Sequence, residues 1–269
     1  MIDQAAALPE AWRTWLRHNL DRGCDRDDLL ERALSRGFSR AAIEAVLDAV
    51  EPASSSSNWL RWFDAPLTRP DHQPRAWRLD TPLAQVYELP GLFSLDECDE
   101  VISAINGALQ PSTVTRGSSD YRTSRTCHLR QNHRDLAERL DRRFAALLGV
   151  DPGLSEPIQG QRYDPGEYFK EHTDWFAPET KEYAKHTLSG GQRTWTVMVY
   201  LNAVERGGET CFKRLGRCFT PVAGHALAWN NLHADGSPNP FTLHEAMPVQ
   251  AGSKWVITKW FRECAGRND

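Results

Sequence analysis

Gln161–Asp174, QRYDPGEYFKEHTD, is the stretch from which the rest of this chain is read. His172 and Asp174 bracket a single residue, so on an extended strand both side chains leave the same face. Two such groups can share one ion, and a third donor then has to arrive from elsewhere in the fold. His244 is the candidate, in LHEAMPVQAGSKWVITKW (243–260). Lys254 follows in the same segment, where a second strand can aim its ammonium at an acidic ligand.

The His-x-Asp pattern occurs three times, and context separates the copies. At His133/Asp135 the acid precedes Leu136, Leu140, Phe144 and Leu147 at helical spacing, so Asp135 opens a helix. His233/Asp235 lies in HADGSPNP, whose glycine and prolines spell a turn. Only His172/Asp174 has an aromatic-rich approach and a distant His and Lys to answer it. Two imidazoles and one carboxylate leave open positions on an octahedral ion, a donor set that points to non-haem Fe(II) oxygenases and is shared with Mn(II) and Zn(II).

The chain has 269 residues, 40% of them hydrophobic, enough for one sizeable core and a small appendage. A formal charge of −4 leaves no electrostatic footprint for nucleic acid or for an anionic membrane. No apolar run approaches the roughly 20 residues that span a bilayer, and the N-terminus lacks the basic and apolar regions of a secretory signal. The expected location is cytoplasmic. Six cysteines (24, 98, 127, 211, 218 and 264) lack metal-binding spacing. All six are expected to be structural and reduced, Cys211 and Cys218 being at most hairpin neighbours.

Residues 1–50 read as a small all-α module of three short helices. Pro9 opens the first and Ser39 caps the third, with Gly37 placed for a left-handed exit from the second. Its Gly37-Phe38 corner resembles UBA-like modules; a cover for the catalytic domain is the other reading. EPASSSSN (51–58) begins a linker expected to run to residue 82, with Trp59, Trp62 and Phe63 inside it. The main domain is expected over 83–265. Ser94 and Glu97 form a capping box, Thr113–Leu129 reads as strands around GSSD, and Asp135–Leu148 as a helix. From Ile158 onward, short alternating runs are separated by turns at DPG, SGG, RGG, LGR and QAG. The expected class is α+β: a double-stranded β-helix of the jelly-roll or cupin type with flanking helices.

From Gln85 to Glu263 the chain resembles the prolyl 4-hydroxylase-type 2-oxoglutarate- and Fe(II)-dependent dioxygenases. The matching segments, in order, are GLFSLDECDEVI, YRTSRT, QRYDPGEYFKEHTD, GGQRTWTVMVYLN, GGETCF and LHEAMPVQAGSKWVITKW. The resemblance implies Fe(II) on His172, Asp174 and His244, with 2-oxoglutarate and O2 as cosubstrates and ascorbate as reductant. It assigns the far carboxylate of 2-oxoglutarate to Lys254, aided by the hydroxyls of Tyr163 and Thr196, with Trp260 nearby. Lys259 is expected to be a solvent-facing edge charge instead.

Arg122, Thr123, Ser124 and Arg193 match segments near the mouth of the site and are candidates for substrate contact. The implied reaction is hydroxylation of an unactivated C–H bond of a peptide or protein, with succinate and carbon dioxide as co-products. A free amino acid or small metabolite is the alternative substrate, and a non-catalytic metal- or partner-binding barrel the alternative class. Three residues before the first iron ligand, relatives carry a tyrosine where this chain has Phe169, so peptidyl-proline specificity does not carry over on that position.

Overall fold

The longest strand, Lys254–Arg262, has every residue but the last buried and lies inside the larger sheet. The computed structural model describes residues 8–10, 12–13, 16–17, 26–49, 76–112, 121–178, 180–188 and 190–264. Cys24, the serine-rich break, the Trp59–Phe63 aromatics and the GSSD turn lie outside the described residues.

Two compact units are present. The helical unit includes α1 (Arg26–Ser35) and α2 (Arg40–Asp48). The Ser39 side chain accepts from Ala42 N at 3.3 Å, the expected N-cap. Gly37 takes the left-handed backbone (φ 85°) that a side chain would disfavour. Leu29, Leu30, Ala33, Ile43, Val46 and Leu47 join Leu8 and Leu16 in its core.

In the second unit the strands are β1 (Trp77–Arg78), β2 (Val86–Leu89), β3 (Gln110–Pro111), β4 (Arg125–His128), β5 (Gln159–Tyr163), β6 (Phe169–His172) and β7 (Arg193–Tyr200). They continue as β8 (Arg206–Gly207), β9 (Thr210–Phe212), β10 (Arg217–Phe219), β11 (Ala226–Asn230), β12 (His244–Ala246), β13 (Val249–Ala251) and β14 (Lys254–Arg262). The helices are α3 (Leu95–Asn106), α4 (Arg134–Leu148) and α5 (Lys181–Thr187). An eight-stranded sheet has the order β1-β2-β11-β7-β14-β5-β4-β3, and a four-stranded sheet the order β10-β9-β12-β6. Tyr163, Met198, Tyr200, Trp229 and Val256 from the large sheet share one core with Phe212 from the small one. This is the double-stranded β-helix that the turn spacing predicts.

The sheet begins before the boundary expected at residue 83. Trp77 and Arg78 already pair with Glu88 and Tyr87. The capping box forms as read: Ser94 Oγ accepts from Glu97 N at 3.2 Å, and Glu97 Oε2 accepts from Ser94 N at 2.8 Å.

Lys259 corrects the sequence reading. It is 1% exposed, and its Nζ meets Asp141 Oδ1 and Glu156 O, both at 2.5 Å. Asp141 sits on α4, and its carboxylate meets Lys259 on the face of β14 opposite to Lys254. The cysteine reading changes too. Cys211 and Cys218 are register partners on β9 and β10 and are joined as a disulfide, while Cys98 and Cys127 are buried thiols and Cys264 an exposed one.

Candidate active site

Antiparallel pairing of β6 with β12 sets His172 directly opposite His244, with ring centroids 4.3 Å apart. Strand β6 ends at His172, so Asp174 stands just past the strand rather than on it. Its carboxylate still joins the pair: one donor atom from each of His172, Asp174 and His244 lies within 4.8 Å of the others. Both imidazoles are oriented by backbone. Nδ1 of His172 lies 2.8 Å from Lys170 O, and Nδ1 of His244 lies 2.8 Å from Thr242 O. A carbonyl only accepts, so Nδ1 carries the proton and the Nε2 lone pair is free to bind a cation.

Burial, reinforced by His244, pushes the His172 imidazolium down to about 3. For Asp174, burial works against ionisation, but His244, His172, Arg193 and the Thr196 hydroxyl prevail and hold the carboxyl below its usual value. Two imidazoles and one carboxylate, gathered in one place, fit a divalent ion with open positions. His133 and His233 are elsewhere: His133 precedes α4, and His233 closes a turn in which its N–H donates to Ser237 O.

Thr196 does not take the role expected of it. Its Oγ1 donates to Asp174 Oδ2 at 2.7 Å and accepts from Asn231 Nδ2 at 2.9 Å, so it orients the carboxylate. The hydroxyl beside Lys254 belongs to Thr210, which accepts from Nζ at 3.3 Å. Lys254 itself is 1% exposed, and burial lowers it to about 7 against a partial opposing effect of Glu209. Tyr163 and Tyr200 put their rings 5.4 Å from that ammonium, and the Tyr163 hydroxyl donates to Gln161 Oε1 at 2.8 Å.

The signal for Thr210 was the Gly207-Gly208 pair before it. Both have positive φ, and a Cβ on Gly208 would stand 3.5 Å from Lys254 Cδ. The contact itself is an ordinary one, so it is the positive φ that asks for glycine at 208, while at 207 a Cβ would also collide with Pro248 O.

A cavity of about 40 Å³ is lined by Tyr163, Thr210, Lys254 and the three candidate ligands. It shares Arg122, Phe169, His172, Asp174 and Trp260 with an outer pocket of about 590 Å³. Arg193 borders the outer pocket, held by two bonds of 2.7 Å to Glu156, with its guanidinium 4.1 Å from the Trp260 ring centre. Arg193 and Arg262 overcome the burial that disfavours ionisation of Glu156 and hold its carboxyl at about 2. Trp260 Nε1 is buried without an acceptor among the described residues. Ser124 lines neither cavity. It accepts from Arg122 Nε at 2.9 Å, and so acts on that guanidinium rather than on the pocket. Thr123 is turned to the backbone of Tyr168.

Residues 158–262 match the model of the 2OG-Fe(II) oxygenase superfamily. A candidate prolyl 4-hydroxylase of Acanthamoeba polyphaga mimivirus is 32% identical over 190 residues, covering 69% of this chain and 77% of that one. Prolyl 4-hydroxylase subunit alpha-3 of Rattus norvegicus is 34% identical over 189 residues, 68% of this chain but only 34% of the longer rat protein. The 2OG complex of the viral collagen prolyl hydroxylase of Paramecium Bursaria Chlorella virus-1 superposes with a TM-score of 0.51 at 26% identity, over 66% of this chain and 95% of that one. The chain belongs to the prolyl 4-hydroxylase-type 2-oxoglutarate- and Fe(II)-dependent dioxygenases.

Proposed function

We propose that this dioxygenase hydroxylates prolyl residues of a peptide or protein, with His172, Asp174 and His244 holding the iron and Lys254 and Thr210 holding the far carboxylate of 2-oxoglutarate. The observation that supports this reading is that the three ligands line one cavity and two of them, His172 and Asp174, also line a second. One ends at a buried ammonium, and the other is open and walled by Tyr121, Phe169, Trp175, Phe176 and Trp260. A buried lysine with one neutral hydrogen-bond partner calls for an anion. Aromatic walls suit the compact, apolar prolyl ring in an extended peptide.

The bound iron, with 2-oxoglutarate and O2, supplies the oxidation that yields succinate, carbon dioxide and a C–OH bond in place of C–H. The chain orients and shields. Thr196 fixes the Asp174 carboxylate, and the Lys170 and Thr242 carbonyls fix the two ring tautomers. Lys254, protonated when the anion enters, meets it with a charge-assisted bond. Arg122 and Arg193, each fixed by side chains behind it, face the outer pocket as donors to substrate carbonyls. Ascorbate serves in this reading as the reductant that returns the iron to Fe(II).

Residues 1–50 form, in this proposal, a helical module distinct from the catalytic domain. The cytosolic setting is part of it as well, and the Cys211–Cys218 pair tests that: protein alkylated directly in cells would then yield these two cysteines as thiols. The deciding experiment for the reaction incubates purified protein with Fe(II), 2-oxoglutarate, ascorbate and a panel of prolyl peptides, measuring succinate and hydroxyproline together. Equimolar appearance supports the reading. Succinate that rises with a free amino acid and not with any prolyl peptide would overturn the substrate assignment.

A further inference from the structure

Strand β11 turns Leu227 and Trp229 into the core shared by the two sheets, and Asn231, one residue past the strand end, keeps to their side. An asparagine there is a buried polar group that has to find partners. It is 0% exposed, and its backbone is held from both sides: its N–H donates to Thr194 O at 2.7 Å, and its carbonyl accepts from Asn239 N at 2.9 Å. The side chain is fixed as well. Oδ1 accepts from Trp229 Nε1 at 3.1 Å, and Nδ2 donates to Thr196 Oγ1 at 2.9 Å. An indole N–H only donates, so the amide oxygen faces Trp229 and the amide nitrogen faces Thr196. Thr196 has one proton to give. With the Asn231 N–H already aimed at its oxygen, that proton goes to Asp174 Oδ2, 2.7 Å away. Among the described residues no other hydrogen bond reaches the Asp174 carboxylate. The neighbouring Asn230 bonds Gln85 instead, so the two asparagines are not interchangeable.

We propose that Asn231 is a positioning residue for the candidate metal centre: it sets the direction of the Thr196 hydroxyl and, through it, the orientation of the Asp174 carboxylate. This role rests on the assignment of His172, Asp174 and His244 as the metal ligands. Thr196 alone does not determine where its proton points, because a free hydroxyl rotates among the acceptors around it. Here the chain of bonds runs from a donor-only indole at Trp229, through Asn231 and Thr196, to an acceptor-only ionised carboxylate at Asp174, and it has one self-consistent polarity. All four residues are buried, so water does not compete for the bonds. Strand register brings them together. Trp229 is the cross-strand partner of Thr196, and Asn231 reaches the same hydroxyl diagonally. The consequence is tighter cation binding, since a ligand already held in one orientation loses less freedom when the ion binds.

The test is a double-mutant cycle on the full-length protein, read by anaerobic Fe(II) titration without cosubstrate or turnover, with a thermal melt of each metal-free variant to check folding. Asn231→Leu keeps the backbone bonds and much of the volume and removes the donated N–H. It should weaken Fe(II) binding about 10-fold in an otherwise wild-type chain. In a Thr196→Val background, where no hydroxyl remains to be directed, the same change should alter Fe(II) binding by less than about twofold. Thr196→Ser retains both the hydroxyl and Asn231, and should bind Fe(II) much as wild type does. If Asn231 serves packing alone, Asn231→Leu lowers iron affinity by the same factor in both backgrounds, and that result would overturn the proposal. Thr196→Ser as weak as Thr196→Val would overturn it too, even if Asn231→Leu fails to fold, because the methyl group and not Asn231 would then be holding the hydroxyl in place. Wild-type protein that binds Fe(II) no more tightly than Asp174→Ala would overturn the metal assignment, and this role with it.

Discussion

Replacing Lys254 by methionine should stabilise the protein free of metal and cosubstrate while sharply weakening its binding of 2-oxoglutarate. The side chain is 1% exposed, and among the described residues Nζ has one hydrogen bond, to the neutral Thr210 hydroxyl. Burial takes it from the ordinary lysine value of 10.5 to about 7. Each factor of ten in a protonation equilibrium is worth about 1.4 kcal/mol, so burying the charged form costs on the order of 5 kcal/mol before relaxation. The folded value lies below the unfolded one. The cost is therefore complete below about pH 7 and fades as pH rises toward 10.5, because the unfolded chain binds more protons across that window. Methionine keeps much of the length and removes the charge. Urea unfolding of wild type and Lys254→Met at pH 6.5 and 9.5 reads the difference directly. The variant should be the more stable by about 1–4 kcal/mol at the lower pH, allowing for relaxation around the site, and the gap should shrink at the higher. A variant less stable than wild type at pH 6.5 would refute the reasoning, since the ammonium would then already have a stabilising partner.

The same lysine should take up a proton when 2-oxoglutarate binds above about pH 7; calorimetry in buffers of different ionisation enthalpy should find uptake approaching one proton by pH 8.5, and none in Lys254→Met. Thr196→Val should weaken Fe(II) binding about 10–100-fold, because the Asp174 carboxylate loses its hydroxyl donor; an unchanged iron titration would place that hydroxyl outside the metal site. Asp141→Asn leaves the Lys259 ammonium buried without its carboxylate, and should cost about 3–5 kcal/mol in denaturant unfolding; a loss under 1 kcal/mol would mean that the Glu156 carbonyl suffices. The Glu156 carboxyl, held at about 2 between Arg193 and Arg262, contributes stability that is full above about pH 4.5 and lost as pH falls toward 2; Glu156→Gln should flatten the acid limb of the unfolding profile.

The candidate metal ligands were legible in the sequence because they are local or strongly patterned. His172 and Asp174 are nearly adjacent, while His244 opens β12 and Lys254 opens β14, within one apolar-rich segment. Alternation also puts Lys254 and Lys259 on opposite faces of β14, and a spacing argument goes no further. That α4 places Asp141 to meet Lys259 on the second face is a property of packing between segments far apart in the chain. Thr196 and Thr210 show the same limit. Both hydroxyls face the interior, and which one meets the lysine depends on how far β7 and β9 reach along the barrel axis. The two glycines before Thr210 marked only a special backbone conformation, both having positive φ. Hairpin register explains the cysteines: β9 and β10 set Cys211 opposite Cys218, and the compartment argument outweighed that geometry. Trp77 and Arg78 were missed as a strand because two residues hold no periodicity.

Anaerobic titration of the purified protein with Fe(II) and then 2-oxoglutarate, followed by visible absorption, tests the centre most directly. A keto acid chelated to Fe(II) gives a charge-transfer band that neither component gives alone. The band should appear with one equivalent of each in wild type and be absent in Asp174→Ala and His244→Ala. In Lys254→Met it should need far more 2-oxoglutarate with Fe(II) affinity unchanged, a charged hydrogen bond being worth roughly 1.5–3 kcal/mol. A band that forms normally in Asp174→Ala, or with unaltered 2-oxoglutarate affinity in Lys254→Met, would contradict the assignment of the site.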